Sequence, residues 1–362
     1  MRERAKFLNQ SRWAGAIYIT GGGTSFLPEV LSEPGASSTI LDARIPYSIN
    51  ALSRLLKYQP KQACSQTVAN DLAMTAYQNA AEIGNSDIPI FGVGCTASIA
   101  TNRERQGKDR FYIGIQTSQK TYNSEMILER DSRAIQESII VESIWQGLQQ
   151  TLDLEIVCEE QKLASLKYRH IKAPNPWVNI LLTNEVAATE SNHDGKLLLP
   201  GAFNPLHRAH IKMLGISEEI TGMEAAFELS IDNVDKPTLN FLEIEERLSQ
   251  FHNPVWLTRL PTFVEKARYF PNSHFALGLD TFLRLIDSKY YATTADCSNA
   301  ISEIISLGNK FIVFGREDNG VFRTLEDIDI PSNLQNICIG ISQHKFNESI
   351  SSTILREGRP GT

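Results

Sequence analysis

Cysteine is scarce in this chain of 362 residues: there are five, and no Cys-x-x-Cys pair. Cys64, Cys95, Cys158, Cys297 and Cys338 are scattered and odd in number, which speaks against a disulfide framework, fits a reducing compartment and offers structural zinc no ligand pattern. Long apolar runs are missing as well. None approaches the ~20 residues that span a bilayer, so no membrane role is expected. Met1 to Trp13 is polar and charged, without the apolar centre of a secretory signal, and a cytoplasmic protein is the expectation. The net charge of −7 is spread along the chain with no basic stripe, which argues against a nucleic-acid partner. Internal repeats and low-complexity tracts are absent too.

What the chain does have is the composition of a soluble globular protein, 42% hydrophobic and 21% charged, at about twice the usual single-domain size. Two cores are expected. Short β-rich runs alternate with amphipathic helices, the pattern of an α/β layer structure. In the first half, Ala16 to Thr20 reads as a strand running into Gly21-Gly22-Gly23-Thr24. Cys64 to Ala81 reads as a helix capped by Ser65, with Val68, Leu72 and Ala76 at four-residue spacing. Pro89 to Gly94 and Arg110 to Ile115 read as strands. Ser132 to Leu152 reads as a helix burying Ile135, Ile139, Ile144 and Leu148. Composition shifts at Ala173-Pro174-Asn175-Pro176, and periodicity is lost over Thr189 to Lys196. These signals divide the chain into a domain over 1–172, a linker over 173–195 and a domain over 196–362. Strands follow at Leu197 to Leu199, Ala225 to Leu229, Phe275 to Leu277 and Phe311 to Phe314.

Chemistry concentrates after the Leu197 strand, at Pro200-Gly201-Ala202-Phe203-Asn204-Pro205-Leu206-His207-Arg208-Ala209-His210. A glycine turn leading into a helix start aims backbone N–H groups and the positive end of the helix dipole at an incoming anion. His207 and His210, three apart, share one helical face and can donate hydrogen bonds to a phosphoryl group as charge builds up on it. An isolated His-x-x-His is more often a surface or structural pair, and a metalloprotease-type zinc site would need a spacing of four with an intervening Glu. Near the C-terminus, Ile350-Ser351-Ser352-Thr353-Ile354-Leu355-Arg356 sets hydroxyls where they cap a helix, with an arginine one turn on.

Together these segments resemble the nucleotidylyltransferase superfamily of nicotinamide mononucleotide, phosphopantetheine and glycerol-phosphate transferases. Gly201 to His210 resembles its G-S-F-[DN]-P-x-H-x-G-H signature, with Ala202 in place of serine and Ala209 in place of glycine. Ile350 to Arg356 matches its I-S-S-T-x-x-R signature throughout. Gly278-Leu279-Asp280 resembles the Gly-x-Asp that approaches the second substrate, and Asp235-Lys236-Pro237 resembles a stretch that lends a lysine to phosphates. The resemblance implies a Rossmann-like parallel sheet and in-line displacement at the α-phosphate of ATP or CTP by a small phosphorylated acceptor. In it His207, His210 and Arg356 are the catalytic candidates. Gly201, Ala202, Phe203, Ser351, Ser352, Thr353, Lys236, Gly278 and Asp280 are the candidates for nucleotide binding. Mg²⁺ is expected to bridge the triphosphate without a protein metal cage.

Residues from about Ala16 to Leu148 resemble the C-terminal domain of the CinA family, many of which are nicotinamide mononucleotide deamidases. The likeness rests on Gly35-Ala36-Ser37-Ser38, Tyr47-Ser48, the alanine-rich helix near Leu72 and the glycine turn around Gly92 to Thr96. It makes Ser37 and Tyr47 site candidates. Two departures stand out: Ile19-Thr20-Gly21-Gly22-Gly23-Thr24-Ser25 replaces the family's A-E-S-C-T-G-G loop, and Leu52 stands where its lysine aligns. A serine without a base is a poor nucleophile at neutral pH. The alternatives are therefore a transferase acting on nicotinamide mononucleotide, a bifunctional amidohydrolase and adenylyltransferase, and a non-catalytic nucleotide-binding scaffold. A homo-oligomer is compatible with each.

Overall fold

The computed structural model describes the whole chain except residues 1, 86, 103–105, 183–184, 234–235, 319–320, 349, 351 and 359–362, with backbone alone at 2, 318, 353, 354 and 357. It is an α/β protein of two compact units, Met1–Leu182 with Asp235–Ile244, and Thr183–Val234 with Glu245–Thr362.

The first unit contains α1 (Arg2–Asn9), β1 (Ala14–Thr20), α2 (Phe26–Leu31), α3 (Ala36–Thr39), β2 (Ile40–Arg44), α4 (Ile49–Leu56) and α5 (Gln66–Ile83). After these come β3 (Ile90–Ser98), β4 (Arg110–Thr117), β5 (Lys120–Ile127), α6 (Arg133–Leu152), β6 (Lys167–Lys172) and α7 (Asn175–Leu182). The strands form one sheet in the order β2-β1-β3-β4-β5-β6. β1 runs parallel to β2 and β3, and β4 to β6 continue antiparallel. All seven residues of β1 are buried, because alternate side chains feed two cores: Ile17 and Ile19 join α2 and α6 on one face, Ala16 and Tyr18 join α4 and α5 on the other.

Ser65 caps α5 by accepting the Val68 N–H at 3.3 Å, as its sequence suggests. Ser132 likewise caps α6. The face of α6 differs from the expected stripe. Gln136, Glu137, Ile140, Val141, Ile144, Trp145, Leu148 and Leu152 are buried, whereas Ile135 is 46% exposed because at the helical period it lies on the side away from the face they form.

The second unit contains β7 (Ala187–Thr189), β8 (Leu197–Pro200), α8 (Arg208–Thr221), β9 (Ala226–Ser230), the end of α9 (Phe241–Leu248), β10 (Val255–Thr258), α10 (Phe263–Tyr269), β11 (His274–Gly278) and α11 (Leu279–Ile286). The chain goes on through α12 (Thr294–Ser306), β12 (Lys310–Phe314), the hairpin of β13 (Arg316–Asp318) and β14 (Val321–Arg323), α13 (Ser332–Gln335), β15 (Cys338–Ile341) and α14 (Ser352–Glu357). Its sheet runs β15-β12-β11-β8-β9-β10-β7, parallel except for β7. Successive strands leave β8 in one direction and return on its other side from β11, so the order reverses between β8 and β11. In open α/β sheets that reversal opens a ligand crevice beyond the strand ends.

Two elements fall within 173–195: α7 groups with the first unit, while β7 adds an edge strand to the sheet of the second. The polar run before β8 is fixed by His193, which is 6% exposed. Its Nδ1 accepts from the Gly195 N–H and from Trp256 Nε1, and its Nε2 meets the Glu224 carbonyl. A buried ion pair crosses this unit. The Glu228 carboxylate on β9 meets Lys266 Nζ at 2.8 Å and also accepts from the Thr258 hydroxyl.

Among the described residues no helix is long and apolar enough to cross a membrane.

Candidate active site

Pro200 leaves β8 and the chain turns before entering α8. The Gly201 N–H, expected to face a phosphate, instead donates to the Glu228 carbonyl and extends the strand ladder. Its lack of a side chain has another cause: a Cβ there would lie 2.7 Å from the Phe203 ring. Phe203 is 1% exposed and sits at φ 46°, a left-handed conformation that costs a side-chain-bearing residue energy unless its surroundings hold it. They do hold it. Its ring meets His210, Phe227 and Phe251 edge-on, each at 5.1 Å. The Phe203 ring thus packs behind His210 and has no face open to solvent. Ala202 is exposed, and its carbonyl accepts from Arg247 Nη1 at 3.1 Å.

Sequence reasoning missed Gln250. Its Oε1 accepts the Leu206 N–H at 2.8 Å and its Nε2 donates to the Phe203 carbonyl at 3.1 Å, so one amide holds both limbs of the turn. No motif marks a glutamine just past a helix end, and only its distance from the loop in space gives it this place.

His207 is the N-cap of α8 and His210 lies in its first turn. The imidazoles stack with centroids 3.7 Å apart and planes 20° from parallel. His210 Nδ1 accepts the His207 backbone N–H at 3.3 Å. An accepting Nδ1 carries no proton, so the neutral ring bears it on Nε2, as a donor. Burial, the neighbouring His207 and the positive charge of Arg316 push the His210 pKa down to about 3. His207 is also lowered, by burial and then by Arg316, against a smaller opposing pull from Glu348. Its Nδ1 is buried without a hydrogen-bond partner. Ala209, where the resemblance expects glycine, is 4% exposed and fits the packed underside of the helix. The first-turn N–H groups of Arg208 and Ala209 have no intrahelical acceptor, as at any helix start.

The C-terminal segment meets this loop. Ser352 Oγ donates to the Pro205 carbonyl at 2.9 Å, and Arg356 Nη1 donates to the Asn204 carbonyl. Ser351 lies outside the described residues, and Thr353 is placed only by its backbone, in the first turn of α14. Gly278 ends β11 and N-caps α11, with Asp280 in the first turn. A Cβ at 278 would lie 2.8 Å from Asp280 Oδ1, so the Gly-x-Asp spacing lets the carboxylate fold back over the strand end. The other oxygen, Oδ2, pairs with Arg316 at 3.1 Å. Arg316 was not singled out from sequence, although an arginine closely following a β strand at a switch-point edge is the signal that could have found it. Lys236, expected at the phosphates, falls in the segment that groups with the first unit, where its ammonium lies 5.6 Å from the Tyr58 ring centroid; Asp235 is outside the described residues. That segment is tied there by Gln78 to Thr238 and by the Phe241 N–H to Thr121.

In the first unit Ser37 is exposed on the four-residue α3, and Tyr47 is 63% exposed. Leu52, in the lysine's place, is 1% exposed in the core with Tyr18 and Leu56, so that position faces the interior. The Gly23 N–H donates to Glu137 Oε2 at 2.7 Å, while Arg133 Nη2 donates to the Gly21 carbonyl. Glu137 and Arg133 also line a cavity of about 550 Å³ together with Arg4, Ser25, Glu29 and Glu142.

No protein-family profile matches the chain. It is 30% identical over 139 residues to a Schizosaccharomyces pombe protein named "Putative nicotinamide mononucleotide adenylyltransferase", a match covering 34% of this chain and 54% of the relative. The chain thus spans about half the length of that relative. Among solved structures it is similar to the competence/damage inducible protein CihA from Agrobacterium tumefaciens, at 13% identity and TM-score 0.34, over 42% of this chain and 93% of the other. It is also similar to a competence-damaged protein (CinA) superfamily protein from Escherichia coli, at 14% identity and TM-score 0.30, over 41% and 84%.

Proposed function

We propose that the second unit is a nucleotidylyltransferase that moves a nucleoside monophosphate from ATP or CTP to a phosphorylated acceptor, with nicotinamide mononucleotide as the acceptor of choice. One observation carries this. Two segments some 140 residues apart in sequence, the 201–210 loop that carries the imidazole pair and the Ser352 to Arg356 helix start, meet at the Asn204 and Pro205 carbonyls, which supports their sharing one triphosphate.

In the reaction an oxygen of the acceptor phosphate attacks the α-phosphorus. The new P–O bond forms as the bond to the β-bridging oxygen breaks, and pyrophosphate leaves with that electron pair. No covalent enzyme intermediate is needed, so positioning and charge stabilisation supply the catalysis. His210, neutral with its proton on Nε2, donates to the equatorial oxygens of the α-phosphoryl group as charge gathers there, and His207 stacks beside it in the same role. Ser352 and Arg356 exchange their contacts with the loop for the β- and γ-phosphates, and Thr353 is assigned to the same phosphates by its place in the signature. Magnesium brought with the triphosphate would offset its negative charge without a cage of protein ligands. The partial match to an adenylyltransferase relative supports the reaction class and the nicotinamide mononucleotide assignment.

The test is a pyrophosphate-release screen crossing ATP and CTP with nicotinamide mononucleotide, glycerol phosphate and phosphopantetheine, run beside Arg356→Ala. The expected result is release that needs an acceptor and falls steeply in the variant. Absence of release from folded protein with every pair would refute the assignment.

A further inference from the structure

The crevice holds a second guanidinium that the transfer scheme above leaves unused. Arg316 opens β13 directly beyond β12, Asp280 stands beyond β11, and the histidine loop stands beyond β8. These three strands are neighbours in the sheet, with β11 in the middle, and Gly278 is in register with Phe314. Asp280 therefore stands between the loop and Arg316. The pair they form at 3.1 Å is open to solvent, 42% exposed on the arginine and 48% on the aspartate. An ion pair this exposed adds little to stability, typically about 0–1 kcal/mol, and is readily exchanged for a better anion. The crevice is also already furnished on its other flank, where Arg356 is latched to the Asn204 carbonyl of the loop.

In-line displacement needs two anions on opposite sides of the α-phosphorus: the leaving pyrophosphate and the attacking phosphate. Arg356 serves the first. We propose that Arg316 captures the phosphate of the acceptor, and that Asp280 is the counter-ion it gives up when that phosphate arrives. The proposal rests on the transferase assignment. A guanidinium offers a phosphate two parallel N–H donors, and a phosphate monoester near neutral pH carries up to two charges where Asp280 carries one. The charge of Arg316 already acts on both imidazoles, lowering their pKa values and helping to keep them neutral donors. The acceptor class that follows is a phosphate monoester whose phosphate stands free to act as the nucleophile.

The experiment measures steady-state pyrophosphate release with ATP and nicotinamide mononucleotide for wild type, Arg316→Gln and Arg316→Lys, with ATP affinity and acceptor affinity measured separately by calorimetry. Losing one charge-assisted contact should raise the acceptor KM by about 10-fold or more. The ATP Kd should stay within about twofold, and Arg316→Lys should fall between because it keeps the charge but not the fork. Inorganic phosphate should inhibit wild type competitively against acceptor and lose potency in Arg316→Gln. An unchanged acceptor KM, or an ATP affinity that falls as far as the acceptor's, overturns the proposal. If wild type releases no pyrophosphate, the transferase assignment fails by itself, and acceptor titrations still decide on Arg316: equal or absent acceptor binding in wild type and Arg316→Gln overturns it.

Discussion

Replacing His210 by alanine tests the site most directly, because the structure separates what the ring does for the fold from what it does for a phosphoryl group. The substitution removes the acceptor of the His207 N–H, a bond whose loss costs about 0.5–1.5 kcal/mol, together with the edge contact to Phe203. It also removes the neutral Nε2–H donor. Loss of one preorganised donor lowers turnover by about 100- to 1000-fold, or roughly 2.7–4 kcal/mol of transition-state stabilisation. The fold should survive, and the rate should not.

The pH dependence sharpens the test. With a folded pKa of about 3 against the ordinary 6.5, His210 binds no proton in the folded chain between those values, while the unfolded chain does. Its contribution to stability is complete above pH 6.5. It declines as pH falls toward 3, by at most about 1.4 kcal/mol per pH unit, less for the partial exposure of the ring. His210→Ala should lack that decline. Single-turnover pyrophosphate release from pH 5.5 to 8 should show no gain in rate at low pH that depends on His210. A limb rising below pH 6.5 that vanishes in His210→Ala would mean an imidazolium at work and would refute the tautomer assignment. Near-normal turnover of the variant would remove the ring from the mechanism.

Gln250→Ala frees both limbs of the turn held by the amide and should lower turnover by about tenfold or more, while circular dichroism stays unchanged; full activity would show that the turn holds itself. Lys266→Met leaves the Glu228 carboxylate buried without its cation and should destabilise the protein by about 3–5 kcal/mol in denaturant titrations, with much of the loss restored in the Lys266→Met, Glu228→Leu double variant. Ser37→Ala should leave pyrophosphate release unchanged, and neither it nor wild type should release ammonia from nicotinamide mononucleotide, since Ser37 is exposed and Leu52 fills the lysine position; ammonia release lost in Ser37→Ala would reverse this.

Local signals explain much of what was legible in the sequence. Ser65 and Ser132 mark the starts of α5 and α6 because a cap needs only a hydroxyl three residues before an N–H. The strands around Gly201, Gly278 and Phe314 declare themselves by short apolar runs. Long-range geometry was harder to foresee. Ile135 reads as part of the apolar stripe of α6 but lies on the side of the helix away from the face that Ile140, Ile144 and Leu148 bury. Lys236 lies between second-unit elements in sequence yet packs over Tyr58. Gly201 and Phe203 sit where a nucleotide signature puts them, but one closes a ladder and the other fills a core, so a conserved-looking motif mixes contact residues with their supports. Gln250 carries no motif, and Arg316 only its place just after a strand. Each matters for what it faces across the turn or the crevice.

The carboxylate of Glu137 on the Gly23 N–H has a consequence for the first unit. A glycine turn at the end of a buried strand ordinarily welcomes a phosphate, but here a resident negative charge has taken the seat. Both carboxylate oxygens are engaged, Oε2 by the Gly23 N–H and Oε1 by Arg133, so the turn is closed from within the unit. The two glycine turns of the chain thus differ in what their backbone faces: at Gly23 a carboxylate, itself paired with Arg133 at 3.8 Å, already fills the place that the turn before α8 leaves to its imidazoles.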